Sequence, residues 1–118
     1  MDLYLHKKYH PNIYVINTIS VLTITMNSLL MNKNFNIDNY DFINLDIQGA
    51  ELLALKGSGN LLNKVKYIYT EVNINDIYKN CALLDQIDDY LKDFNFSRVE
   101  TKMTEYEWGD ALYIKNKI

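Results

Sequence analysis

The chain has 118 residues, of which 48% are hydrophobic and 23% are charged, and its formal net charge is −3. This length fits one domain with a buried core, although it is small for a complete α/β enzyme. The mildly acidic charge disfavours binding to nucleic acid or to an anionic membrane. The single cysteine, Cys81, cannot form an intrachain disulfide or a cysteine metal cluster, which favours a cytoplasmic protein.

The first third of the chain contains an uncharged stretch, residues 13–31, that follows two lysines. Its many Asn, Thr and Ser residues disfavour a transmembrane helix, so we expect no membrane association. Within the stretch, Ile13 to Ile16 and Val21 to Thr25 are rich in β-branched residues and predict two short strands. Ser28 to Asn32 predicts a short helix.

Two units of strand and helix follow. Phe42 to Asp46 predicts a short strand that ends on a carboxylate, and Ala50 to Lys56 consists of strong helix formers closed by Gly57, a typical C-cap. Val65 to Val72 predicts the next strand. Ala82 to Phe94 predicts an amphipathic helix, because its apolar residues share one face.

Phe96 to Thr101 and Asp110 to Lys115 predict two more strands, joined by a polar connection that carries Trp108. Strand and helix alternate from Tyr40 onward, which predicts an α/β fold with part of a doubly wound sheet. We expect this sheet to be mostly parallel, with a C-terminal antiparallel hairpin and helices on its faces. Residues 1–118 are expected to form a single, incomplete domain.

Ligands of open α/β sheets bind at the carboxyl ends of the strands. Asp46 ends one predicted strand and Glu71 nearly ends the next, so both carboxylates would share a crevice if these strands are neighbours. There they could hold a metal ion, orient a hydroxyl or act as a general base. Glu51 is a further candidate, although the helix dipole alone also favours an acid there. Gly49 either lets the backbone approach a ligand or shapes the turn.

Metal binding by histidine is disfavoured. His6 and His10 have the spacing of a helical metal pair, but Pro11 follows and no third ligand is evident, so we expect no metal. The chain also lacks a phosphate-binding glycine loop, a GxSxG turn and a CxxC pair, which disfavours the reaction classes that need them.

The block DIQGAE at 46–51, followed by LKG at 55–57, resembles the hallmark of the FkbM-type methyltransferases. Later landmarks of that family occur in the same order: Leu62, the YIYTEV strand at 67–72, Tyr78, the helix up to Phe94, Phe96, and WGDALY at 108–113. The resemblance spans Pro11 to Lys115.

The resemblance implies a Rossmann-like methyltransferase domain that uses S-adenosylmethionine to methylate hydroxyl groups of sugars or polyketide-type small molecules. It implies that Asp46 lies beside the methyl group and the acceptor, and that Glu71 faces the acceptor. The implied cofactor-binding residues are Asp46, Gln48, Gly49 and Glu51. A carboxylate would orient the hydroxyl and accept its proton as the methyl group moves.

Two departures from the family pattern leave alternatives open. Thr25-Met26-Asn27 stands where the family has Thr-Leu-Asp, and the family's first strand and acidic, glycine-rich cofactor loop are missing from the sequence. The chain could therefore be half of a split enzyme, completed by an N-terminal half or by a homodimer. It could also be a non-catalytic remnant that binds a partner. A metal-dependent hydrolase built on Asp46, Glu51 and Glu71 is a third possibility.

Overall fold

A computed structural model of the chain describes residues 6–117. Its helices are α1 (His6–Tyr9), α2 (Met26–Asn32), α3 (Glu51–Lys56), α4 (Leu61–Lys64) and α5 (Leu84–Lys92), and a 3-10 helix spans Ile37–Asn39. The strands are β1 (Phe42–Leu45), β2 (Tyr67–Asn73), β3 (Phe96–Met103) and β4 (Trp108–Lys115). No helix within the described range is long and apolar enough to cross a membrane.

The strands form one sheet in the order β1-β2-β4-β3. β1 and β2 are parallel, with Leu45 opposite Thr70, whereas β4 runs antiparallel to both β2 and β3. The predicted α/β fold and C-terminal hairpin are therefore confirmed. The prediction of a mostly parallel sheet is wrong, because the hairpin places β4 beside β2 and leaves a single parallel pair among the described strands.

One face of the sheet carries the main core. Side chains alternate along a strand, so Ile43 on β1 and Ile68 on β2 point to the same face, where they pack with Leu55 of α3 and Leu62 of α4. α5 covers the same face with Ile87 and other apolar residues of its stripe. The rest of this buried cluster is Leu30, Leu45, Leu61, Val65, Val72, Leu91, Phe96, Ala111 and Tyr113.

The opposite face of the sheet is more exposed. Phe42 is 52% exposed and its neighbour on β2, Tyr67, is 41% exposed. The molecule is only 18 Å across in its shortest direction, which is about the depth of one sheet and one helix layer. Over the described residues, the predicted helices therefore cover one face rather than both.

The segment 13–25 corrects the sequence prediction most strongly. The strands predicted at 13–16 and 21–25 do not form, and side chains such as Ile16 and Leu22 are almost fully exposed. A β-rich sequence becomes a strand only when a neighbouring edge pairs with it, and no described edge does so here. The helix predicted at 28–32 is confirmed and begins two residues earlier, at Met26.

The other predicted elements occur with boundaries shifted by a few residues. Trp108, predicted to lie in a connection, is the first residue of β4. The four-residue helix α4 was not predicted, because a single turn is too short to show a helical period.

The chain exposes more surface than a compact protein of its size. Its accessible surface is 8276 Å², whereas a compact monomer of 13.9 kDa exposes about 6,700 Å². Its radius of gyration is 15.5 Å, against about 13.5 Å for a compact domain of the same length. The segment 13–25 and the open sheet face contribute to this excess of about 1,600 Å², which is about twice the area that one partner buries in a standard protein interface.

Candidate active site

The parallel pair of strands brings the two predicted acids together. Leu45 lies opposite Thr70, so the next residues, Asp46 and Glu71, are neighbours at the carboxyl ends of β1 and β2. Asp46 is exposed, whereas Glu71 is only 6% exposed. The predicted proximity of these carboxylates is confirmed, and their catalytic and cofactor roles stay predictions.

Glu51 holds the turn that connects β1 to α3. Its buried carboxylate accepts hydrogen bonds from the backbone N–H groups of Ile47 and Gly49, both at 3.0 Å. Hydrogen bonds to an ionised acceptor are stronger than neutral ones, so this carboxylate fixes the turn that carries residues 46–49. The predicted contact of Glu51 with a cofactor stays a prediction, and the N–H of Gly49 is already engaged within the chain.

Gly49 allows the turn to pack closely against the loop that follows β2. Its φ is +100°, and a Cβ added to it would lie 3.0 Å from the Cβ atoms of both Tyr78 and Cys81. Glycine is therefore required for its backbone conformation and for the space it leaves. Tyr78 reaches the site through this contact.

Gln48 bridges the two acids. Its φ of +57° is uncommon for a residue other than glycine. The side-chain Nε2 donates to Oδ1 of Asp46 at 2.6 Å and to Oε2 of Glu71 at 3.4 Å. Its Oε1 accepts a hydrogen bond from the hydroxyl of Tyr78. A continuous chain of hydrogen bonds therefore runs from Tyr78 through Gln48 to both carboxylates.

The electrostatics of this cluster favour a protonated Glu71. Burial, together with the nearby charges of Glu51 and Asp46, raises the pKa of Glu71 to about 7. Its Oε1 is buried and has no hydrogen-bond partner among the described residues. Burial also raises the pKa of Tyr78 to about 12, so its hydroxyl keeps its proton at neutral pH. A carboxyl that titrates near neutrality is suited to general-base catalysis.

Asn73 is a further polar residue near the site that was not among the candidates predicted from the sequence. It follows Glu71 by two residues on β2, so both side chains point to the same face. Asn73 is 1% exposed, and neither its Oδ1 nor its Nδ2 has a hydrogen-bond partner among the described residues. A polar residue at the carboxyl end of a predicted strand is the sequence signal that could have identified it.

The role of Tyr78 was also missed. In the sequence, Tyr78 is only one of the family's later landmarks and lies in a polar loop. Residue spacing alone does not show that this loop packs against Gly49. No three His, Cys, Asp or Glu side chains within the described residues are grouped to hold a metal ion. Because the Glu51 carboxylate binds the backbone, the geometry gives no support to the metal-dependent hydrolase.

A cleft of about 450 Å³ opens beside this turn. Its wall includes Gly49, Lys56, Cys81 and Gln86. Its volume is in the range of small-molecule sites, but neither Asp46 nor Glu71 lines it. The cleft therefore adjoins the carboxylate pair without containing it.

Comparison with known proteins gives a family and one relative. The family description "Methyltransferase FkbM domain" matches residues 4–98. A protein of Sinorhizobium fredii named 2-O-methyltransferase NoeI is 30% identical over 82 residues, which are 70% of this chain and 32% of that protein. The chain thus spans about a third of the length of this relative. No solved structure gives a significant match.

Proposed function

The chain belongs to the FkbM methyltransferase family, and from this premise we propose that it is part of an S-adenosylmethionine-dependent methyltransferase. The proposed acceptor is a hydroxyl group of a sugar or another small molecule. The observation that carries this proposal is the pair of Asp46 and Glu71 at adjacent strand ends, with the pKa of Glu71 raised to about 7. The name of the Sinorhizobium relative, a 2-O-methyltransferase, supports oxygen as the methyl acceptor.

The residues present fit such a cofactor. S-Adenosylmethionine carries a positively charged sulfonium and, when bound, supplies an electrophilic methyl group. The exposed carboxylate of Asp46 and the unpartnered Oε1 of Glu71 offer negative charge and hydrogen-bond acceptors to a cationic ligand. We assign Asp46, Gln48, Gly49 and Glu51 to this chain's part of the cofactor site, with Glu51 acting by holding the turn.

The two acids would perform the proton chemistry. Asp46 is exposed at the strand end and can orient the acceptor hydroxyl by accepting its hydrogen bond. Glu71 is buried and titrates near neutrality, so its ionised form can take the hydroxyl proton as the oxygen gains the methyl group. Fixing both carboxylates on adjacent strands limits the reorganisation needed at the moment of transfer.

The edge and the exposed face of the sheet favour the proposal that the chain is part of a larger, Rossmann-like domain. Ile43 and Leu45 of β1 are buried on one face, whereas Phe42 on the other face is exposed, and β1 lies at the edge of the described sheet. An unpaired edge beside an open apolar face is normally covered. We propose that a complementing N-terminal polypeptide covers it, corresponding to the part of the longer relative outside the match. The excess of about 1,600 Å² of accessible surface is sufficient for such an interface.

A homodimer is the alternative occupant of this surface. Sedimentation of the purified chain distinguishes the two, because a complementing partner leaves the isolated chain at its monomer mass of 13.9 kDa and a homodimer doubles that mass. We place the protein in the cytoplasm, where a lone, buried Cys81 stays reduced.

A non-catalytic remnant is the second candidate function, favoured by the same exposed surface. Calorimetric titration with S-adenosylmethionine separates it from the methyltransferase. We expect saturable binding that is weakened in Asp46→Asn and unchanged in Asp89→Asn, a matched change at an exposed position of α5. A folded sample that fails to bind, alone and with its complementing polypeptide, would contradict the methyltransferase proposal.

A further inference from the structure

We infer that Tyr78 and Gln48 are positioning residues that hold Asp46 and Glu71 as one proton-sharing pair. Glu71 then receives the proton of the acceptor hydroxyl as a member of this pair and shares it with Asp46. The identity of that reaction rests on the proposed methyltransferase function, whereas the coupling of the four side chains rests on their hydrogen bonds.

The first step concerns the orientation of the Gln48 amide. A glutamine amide has an oxygen that accepts and a nitrogen that donates two hydrogen bonds. The hydroxyl of Tyr78 donates to Oε1, so Nε2 must face the acids, where it reaches Asp46 at 2.6 Å and Glu71 at 3.4 Å. A flipped amide would turn its oxygen toward two carboxylates, so the acids determine which end of Gln48 they meet. The Tyr78 hydroxyl bonds to the other end of the amide and so holds Nε2 against the acids.

The second step concerns the protons of the pair. Two adjacent carboxylates resist ionising together, and a hydrogen bond between them requires one shared proton. The hydrogen bond to Asp46 is among the causes that raise the pKa of Glu71. The two N–H groups of Gln48 instead stabilise the fully ionised pair. The cluster thus has a hydrogen-bonding arrangement for each protonation state.

The charged and titratable groups around Glu71 are mainly acidic. They are Asp46 after β1, Glu51 on α3, Asp110 on β4 and Tyr78 in the loop after β2. Glu51 and Asp110 act on the pair only through their charge, because neither has a hydrogen bond to Glu71. Gln48 is therefore the side chain that bonds to both members of the pair.

The proton balance of the transfer follows from this arrangement. In the proposed transfer, the hydroxyl proton would pass to the ionised pair as the acceptor oxygen bonds to the methyl group and the methyl–sulfur bond breaks. The products would be a methyl ether, a neutral thioether and a pair that holds one proton. Because Asp46 is exposed and Glu71 is buried, the proton leaves to solvent through Asp46.

The test is a pH titration of the Glu71 carboxyl carbon by NMR in the cofactor-free protein. Tyr78→Phe removes only the hydroxyl, and Gln48→Gly removes the bridging amide at a φ that glycine adopts freely. We expect the midpoint to rise by about one pH unit in Gln48→Gly and by about half a unit in Tyr78→Phe. Tyr9→Phe is the matched control, because the Tyr9 hydroxyl donates to Glu107 outside the pair.

Unchanged midpoints in both site variants would overturn the inference, as would equal shifts in Tyr78→Phe and Tyr9→Phe. The titration needs neither cofactor nor acceptor, so its failure is distinct from that of the proposed function. Unchanged midpoints with intact cofactor binding would contradict the positioning role of Tyr78 and Gln48 and would still be consistent with the proposed methyltransferase function. Shifted midpoints in a protein that binds no cofactor, either alone or with its complementing polypeptide, would support the coupled pair and contradict the methyltransferase.

Discussion

Two polar clusters in this molecule contain similar side chains and differ in how completely they are satisfied. In the first, Arg98 of β3 donates to Asp88 of α5 at 2.9 Å through both Nε and Nη2, and the hydroxyl of Tyr113 donates to the same carboxylate at 2.7 Å. One acid meets one cation and one phenol. This cluster joins the amphipathic helix to the C-terminal hairpin.

The second cluster is the candidate site. Its carboxylates accept hydrogen bonds from the Gln48 amide rather than from a cation, and the Tyr78 phenol donates to the oxygen of that amide. Oε1 of Glu71 has no partner among the described residues. The first cluster therefore stabilises the fold, whereas the second keeps a carboxyl whose ionisation is disfavoured. Polar groups retained at the expense of stability are typical of functional sites.

The largest expected effect comes from Gly49→Ala, which disrupts the candidate site and leaves the Asp88 cluster in place. Alanine meets a positive φ and a 3.0 Å clash with the Cβ atoms of Tyr78 and Cys81, so we expect the free energy of unfolding to fall by about 3 kcal/mol. Urea denaturation measures this. Gly57→Ala is the control, because Gly57 has a helical φ, and an effect equal to that of Gly49→Ala would contradict the proposed packing.

Glu71→Gln should stabilise the protein at high pH. The pKa of Glu71 is about 7 when folded, against an ordinary value of 4.5, so the folded state holds more protons between these pH values. The free energy of unfolding of the wild type therefore falls as the pH rises from about 4.5 to 7.

Glutamine removes this pH dependence. At pH 8 we expect the free energy of unfolding of Glu71→Gln to exceed that of the wild type by up to about 3 kcal/mol. At pH 4 we expect the two values to be equal. Urea denaturation at the two pH values measures the difference. A destabilised variant at pH 8 would show that the ionised carboxylate has a stabilising partner.

Asp88→Asn should instead destabilise the protein. It weakens the hydrogen bonds from Arg98 and Tyr113, so we expect a loss of about 2 kcal/mol in the free energy of unfolding. Asp89→Asn, at an exposed neighbouring position of α5, controls for the change of net charge. Equal effects of the two variants would remove the distinction between the clusters.

Asn73→Leu should give the smallest effect, an increase of about 1 kcal/mol in the free energy of unfolding, which thermal or urea denaturation measures. Leucine has a similar volume and removes two buried polar atoms without partners. A loss of stability would indicate that the Asn73 amide binds an ordered water or another polar group.

The sequence predicted the part of the fold in which local pattern and packing agree. Phe42 to Asp46 and the helix after it have clear propensities and end signals, and both formed close to the predicted positions. The two strand-end acids followed from the same reasoning. The strands predicted within 13–25 did not form, because strand propensity is realised only beside a pairing edge and no described edge pairs with this segment.

The linkage between Tyr78 and the acids could not be predicted from local patterns. It depends on the left-handed backbone of Gln48 and on the close approach of the loop to Gly49, and both result from tertiary packing. The position of β4 beside β2 likewise depends on long-range pairing.

The coupling of Asp46 and Glu71 is tested most directly by a double-mutant cycle of Asp46→Asn and Glu71→Gln, measured by urea denaturation at pH 8. Each single change removes the same repulsion between the two carboxylates. We therefore predict that the free energy of unfolding rises less in the double variant than the sum of the two single increases, by about 1 kcal/mol. Additivity to within about 0.3 kcal/mol would contradict a coupled carboxylate pair.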